Sequence, residues 1–111
     1  MFDERWTQVR VFPDWGARWP LWVLDGGVDA STLGLSDQLS TDLAEWVRTW
    51  TAHFDIDAPV PYWDDEPLAE RWVDAGLVLT ARLQAELGDR STVVPEFEGL
   101  RPDALRRTEP T

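Results

Sequence analysis

The chain predicts an α+β fold, a small mixed β-sheet of two or three strands with two helices packed on one face, in the order β-(β)-α-α-β. Three observations carry this. Short alternating apolar segments lie near both ends of the 111 residues. Two longer segments between them repeat their apolar residues at helical spacing. Turn-forming Pro, Asp and Gly clusters separate these segments. The length fits one domain with its own core, expected over residues 1–97, with 98–111 as a flexible C-terminal tail.

The first strand is expected at Arg5–Phe12, where Val9 and Val11 share one face and Trp6, Gln8, Arg10 and Phe12 the other. Pro13-Asp14-Trp15-Gly16 ends it with turn chemistry. Pro20–Leu24 is a possible second strand, stopped by Asp25-Gly26-Gly27, and Val28–Leu35 is a linking loop.

Ser36 is the expected N-cap of the first helix, with Asp37 adding negative charge at its positive end. The helix should run to about Phe54. Leu39, Leu43, Trp46, Val47, Trp50 and Phe54 fall within an arc of about 100°, while Thr41, Asp42, Glu45 and Thr49 face outward. After the Asp55–Glu66 loop, the second helix should start near Pro67, a first-turn proline, and end at Leu87 with Gly88 as left-handed cap. Its apolar stripe, widened by Ala69, Val73 and Leu77, implies packing on more than one side. Gly76 costs about 1 kcal/mol of helix propensity relative to alanine, so a close neighbour is expected there. Ser91–Phe97 reads as the last strand, with Pro95 placing its end at an edge or bulge. The long helical crossover allows it to pair in parallel with the first strand.

The net charge of −11 is unevenly spread. Residues 13–74 hold thirteen acids against Arg18, Arg48 and Arg71. Such a field repels nucleic acid and anionic membranes and favours a partner protein with a basic surface. It also serves solubility alone. With no cysteine, disulfides and thiolate metal sites are excluded. The longest apolar run, Leu21–Leu24, is far short of a membrane span, and Met1-Phe2-Asp3-Glu4 does not read as a signal peptide. A cytoplasmic protein is the expectation. All ten basic residues are arginine, and lysine and asparagine are absent, a bias of GC-rich bacterial coding.

Motifs for chemistry are weak. Asp55–Glu66 has the length of an EF-hand loop, begins Asp-x-Asp and ends in Glu. Its sixth position, where the turn needs glycine, is Val60, and its fifth, a usual oxygen ligand, is Pro59. No metal and no cofactor are expected. His53, the sole histidine, suits a helix C-terminus; no Gly-x-Ser-x-Gly nucleophile or phosphate loop accompanies it. No catalytic residue is assigned, and the protein is expected not to be an enzyme.

Tryptophan is abundant, with eight residues. Trp46, Trp50 and Trp72 lie on helix stripes and Trp6 and Trp22 should cover the sheet. Trp15, Trp19 and Trp63 fall in loops, where they either plug a core edge or serve as interface anchors. The expected partner-binding residues are Asp42 and Glu45 on the first helix, Asp55, Asp57, Tyr62, Trp63, Asp64 and Asp65 in the loop, and Glu70 on the second helix. Charge reversal at Asp64 and Asp65 should then slow association. A different expectation is a structural or oligomeric accessory protein, a homodimer joined through the loop tryptophans.

Three segments carry a resemblance: Pro13-Asp14-Trp15-Gly16 with Trp19-Pro20-Leu21-Trp22, Leu35-Ser36 leading into Leu39, Leu43 and Trp46, and Ala81–Gly88. Through them the chain resembles a group of small, mostly uncharacterised actinobacterial proteins, some of which accompany bacterial toxin loci. The resemblance implies an immunity protein or inhibitor that occludes a basic toxin or effector. It assigns no individual residue.

Overall fold

A computed structural model describes residues 7–59 and 61–107. In chain order the elements are β1 (Gln8–Val11), β2 (Leu21–Val23), β3 (Gly26–Gly27), α1 (Asp37–His53), β4 (Phe54–Asp55), β5 (Tyr62–Trp63), α2 (Glu66–Leu87), a 3₁₀ turn at Gly88–Arg90, β6 (Thr92–Pro95), a second 3₁₀ turn at Glu98–Leu100, and α3 (Pro102–Arg107). The α+β class and the element order of the main sheet and helices follow the sequence expectation. Arg5 and Trp6, the expected start of the first strand, lie outside the described residues.

The main sheet has four strands in the order β3-β2-β1-β6. β1 pairs antiparallel with β2, setting Arg10 opposite Trp22 and Val11 opposite Leu21. It pairs in parallel with β6, Val9 opposite Val93. The parallel neighbour allowed by the helical crossover is therefore present. Asp25-Gly26-Gly27 does more than stop β2: the chain turns back and Gly26–Gly27 adds a short fourth strand. The alternation in β1 and β2 sends Val9, Val11, Leu21 and Val23 into the core. On the opposite face Trp22 stacks on Phe12 at 4.7 Å and donates its indole N–H to the Phe12 carbonyl.

Ser36 caps α1 as expected, its Oγ accepting from the Leu39 N–H. Its own N–H and hydroxyl donate to the Glu86 carboxylate, tying the start of α1 to the end of α2. Those bonds, the hydroxyl's first, hold Glu86 below the usual carboxylate range. α1 ends one residue before Phe54, which turns extended and opens β4. α2 begins at Glu66, where the Asp65 side chain accepts from the Leu68 N–H, and ends as expected at Leu87; Gly88 follows with a φ of 61° that suits glycine, but its ψ of −144° lies outside the left-handed helical region expected of the cap.

The helices meet through an aromatic lock. Trp46 and Trp72 stack with centroids 4.0 Å apart. Each indole N–H donates to the other residue's carbonyl, both at 2.8 Å. Phe97, fully buried, meets both rings edge-on. Gly76 is the close approach that the sequence implied. A Cβ there would stand 2.5 Å from Trp46 Cζ2 and 2.6 Å from Phe97 Cε2. Gly76→Ala gains about 1 kcal/mol of helix propensity, but overpacking costs about 1–3 kcal/mol. A net loss of stability, read as a lower urea midpoint, is expected; a higher midpoint would show that the aromatic cluster yields freely.

Two segments differ from the sequence expectation. Asp55–Glu66 is not wholly a loop, because β4 and β5 form a two-stranded hairpin, Phe54 opposite Trp63 and Asp55 opposite Tyr62. The segment after Phe97 is folded where a frayed tail was expected. Leu100 and Leu105 pack on the core, and the Leu100 carbonyl accepts from the Trp63 indole at 2.7 Å. Arg101 pairs with Glu70 and Asp74 on α2. Residues 108–111 lie outside the described residues.

Candidate functional site

Nine residues were expected to meet a partner, and the fold divides them among three places. Asp42 and Glu45 share the outer side of α1 and line a shallow groove of about 470 Å³ with Trp46, Thr49, Ala75, Val78, Leu79 and Arg82. Asp42 accepts from Arg82 Nη1 at 2.8 Å and from Gln38 at 2.9 Å. The Arg82 bond, followed by the Gln38 bond, holds the Asp42 carboxyl below its usual range. Glu45 pairs with Arg48 one turn on. Each acid of this groove thus has an arginine beside it. Val78, exposed, was not singled out from the sequence.

Glu70 lies elsewhere. It is twelve positions from Arg82, about 120° around α2, and it accepts from Arg101 Nη1 at 2.7 Å. Arg101 also donates to Asp74 at 2.8 Å, and these two carboxylates, Asp74 first, raise its guanidinium pKa. Glu70 holds the C-terminal segment against α2.

The remaining six gather at the hairpin. Its geometry follows from a short strand pair whose ends are fixed by the two helices. Asp55 accepts from the Asp57 and Ala58 N–H groups at 2.9 and 3.1 Å, which shapes the turn after β4. Asp57 and Tyr62 are exposed, and so is Ile56, 48% accessible beside Tyr62 at 50%. Asp64 lies 2.9 Å from His53 Nδ1, while its N–H donates to the His53 carbonyl. His53 is thus half-buried at the end of α1, the helix-end role expected of it. Asp65 is exposed but works as the α2 cap.

Trp63 takes the first of the two roles open to it, plugging a core edge, which corrects its place among the expected partner-binding residues. It is buried, packs against Phe54 and Trp72, and fills the core edge under the C-terminal segment. Strand alternation explains the difference: of two neighbours in β5, one must face inward, and the indole is the larger apolar body. Trp19 is half-buried and donates to the Ser40 carbonyl at 2.9 Å. Trp15, 41% accessible, leans on Trp50. Of the three loop tryptophans offered for a homodimer surface, Trp15 is exposed, Trp19 half-buried and Trp63 buried.

What the hairpin end offers is an aromatic and an aliphatic side chain among carboxylates. From residue 49 to residue 70 there are six acids and no arginine. Ile56 was missed because an isolated apolar residue in a loop carries no periodic signal. Among the described residues no group of three or more metal-binding side chains is positioned to hold an ion, and no helix is long and apolar enough to cross a membrane.

Comparison with curated proteins finds no match. A family model described as Serratia CdiI immunity protein-like matches residues 7–95. That span takes in the sheet, both long helices and the hairpin, and it bears out the immunity character implied by the sequence resemblance. Covering four fifths of the chain, from β1 to the last residue of β6, the match shows that this protein belongs to the Serratia CdiI immunity protein-like family.

Proposed function

We propose that the chain is an immunity protein that neutralises a toxin by binding it, in the cytoplasm and without catalysis. Family membership over residues 7–95 is the observation that carries this reading. The contact surface is the hairpin end, with Ile56 and Tyr62 as apolar anchors and Asp55, Asp57 and Asp64 as the surrounding charge. A net charge of −11 and a 22-residue arginine-free stretch at that end favour a toxin whose opposing surface is basic. An acidic surface of this kind can occupy a cleft built for phosphates and accelerate encounter with it. Glu70 and Trp63 support the surface from behind, one by anchoring Arg101 and the other by filling the core edge.

The test uses a candidate toxin domain, sought first among the genes next to this one. Sedimentation of the purified pair is expected to give a 1:1 complex, with affinity that falls as salt rises. Absence of a complex at micromolar concentrations would overturn the reading.

A further inference from the structure

β6 is an edge strand, and edges with free N–H and C=O groups recruit further strands. In its parallel ladder with β1 the even-numbered residues turn inward: the Thr92 N–H donates to the Thr7 carbonyl and the Glu96 N–H to the Val11 carbonyl. Alternation turns the outer groups of Ser91, Val93 and Pro95 away from β1. Two of these positions are already filled by one side chain. The Val93 N–H donates to Gln84 Oε1 at 2.9 Å, and Gln84 Nε2 donates to the Ser91 carbonyl at 2.8 Å. The same Nε2 also donates to the Gly88 carbonyl at 3.0 Å. A primary carboxamide presents a donor and an acceptor much as a peptide group does. Gln84, reaching from the last turn and a half of α2, therefore occupies the place of one peptide of a fifth strand. The next outward position is Pro95, which has no N–H to offer.

We propose that the Gln84 carboxamide, with Pro95, closes the β6 edge and so keeps a second copy of this chain from extending the sheet. The protected sequence, Thr92-Val93-Val94-Pro95, is β-branched apart from its proline, the composition most prone to strand addition. The inference does not depend on the toxin reading, since it concerns the chain alone.

Amide hydrogen exchange on the unmodified chain tests it first. Val93, although it points away from β1, is expected to be protected to within about tenfold of Val94. Gln84→Met, which keeps the side-chain length, is expected to lower Val93 protection about five- to tenfold, the loss of one hydrogen bond. Gln84→Met combined with Pro95→Ala is expected to shift from monomer to dimer in sedimentation velocity at tens of micromolar. Pro95→Ala alone, with the carboxamide in place, is expected to remain monomeric. Free exchange at Val93 in the unmodified chain would overturn the proposal, whatever the variants do. A folded double variant that stays monomeric would overturn it as well.

Discussion

Trp72→Ala is expected to cost about 3–5 kcal/mol, the range for emptying a large aromatic site in a packed core. A domain of this size has about 5–15 kcal/mol in total, so the variant stands near the edge of folding. The magnitude follows from what the ring does. It stacks on Trp46 at 4.0 Å, touches Trp63 and Phe97, and donates to the Trp46 carbonyl. These partners come from α1, β5 and the segment after β6, so the cavity would open where three parts of the chain converge. Trp72→Phe separates the contributions. It retains a ring in the stack while losing the indole hydrogen bond and part of the volume, and about 1–3 kcal/mol is expected. Urea unfolding followed by far-UV circular dichroism reads both. Equal losses in the two variants would assign the effect to the hydrogen bond and not to packing.

The second large effect concerns binding. Replacing Asp57 and Asp64 by arginine is expected to reduce the association rate with the toxin by about tenfold or more at low salt, and to reduce it less at high salt. The reason is the arginine-free stretch from residue 49 to residue 70, where His53 stands beside Asp64 and Arg101 pairs with Glu70 at its end. The sequence alone pointed to Asp64 and Asp65 for this test. Asp65 is unsuitable, because its side chain caps α2 and its loss would lower stability by about 1 kcal/mol with no bearing on the partner. Tyr62→Ala should act on dissociation, weakening affinity by about ten- to thirtyfold if its half-exposed ring is an anchor. Stopped-flow mixing at several salt concentrations separates the rates. Association unchanged in the double arginine variant would remove the hairpin end from the interface.

Local patterns made most of the fold legible. Helical spacing marked α1 and α2 over long windows, Ser36 and Gly88 marked two of their ends, and the propensity cost of Gly76 pointed to a tight contact that proved to be Trp46 and Phe97. The β4–β5 hairpin was not legible, since two-residue strands are too short for alternation to show. The C-terminal turns were missed because Leu100 and Leu105 are sparse and their docking depends on Trp63 and Glu70, more than thirty residues earlier. The same limit governed the candidate surface. Composition found the acidic region, but whether a carboxylate is available to a partner depends on distant arginines. Asp42 is met by Arg82 and Glu70 by Arg101, and neither pairing has a local signature.

The central claim, that this chain neutralises a toxin, is tested most directly by growth of cells in which the candidate toxin domain is induced with and without it. Growth is expected to be restored by the chain, and restored less by the variant carrying Asp57→Arg, Asp64→Arg and Tyr62→Ala when both proteins accumulate to equal levels. Arrested growth in the presence of the folded, unmodified chain would contradict the account.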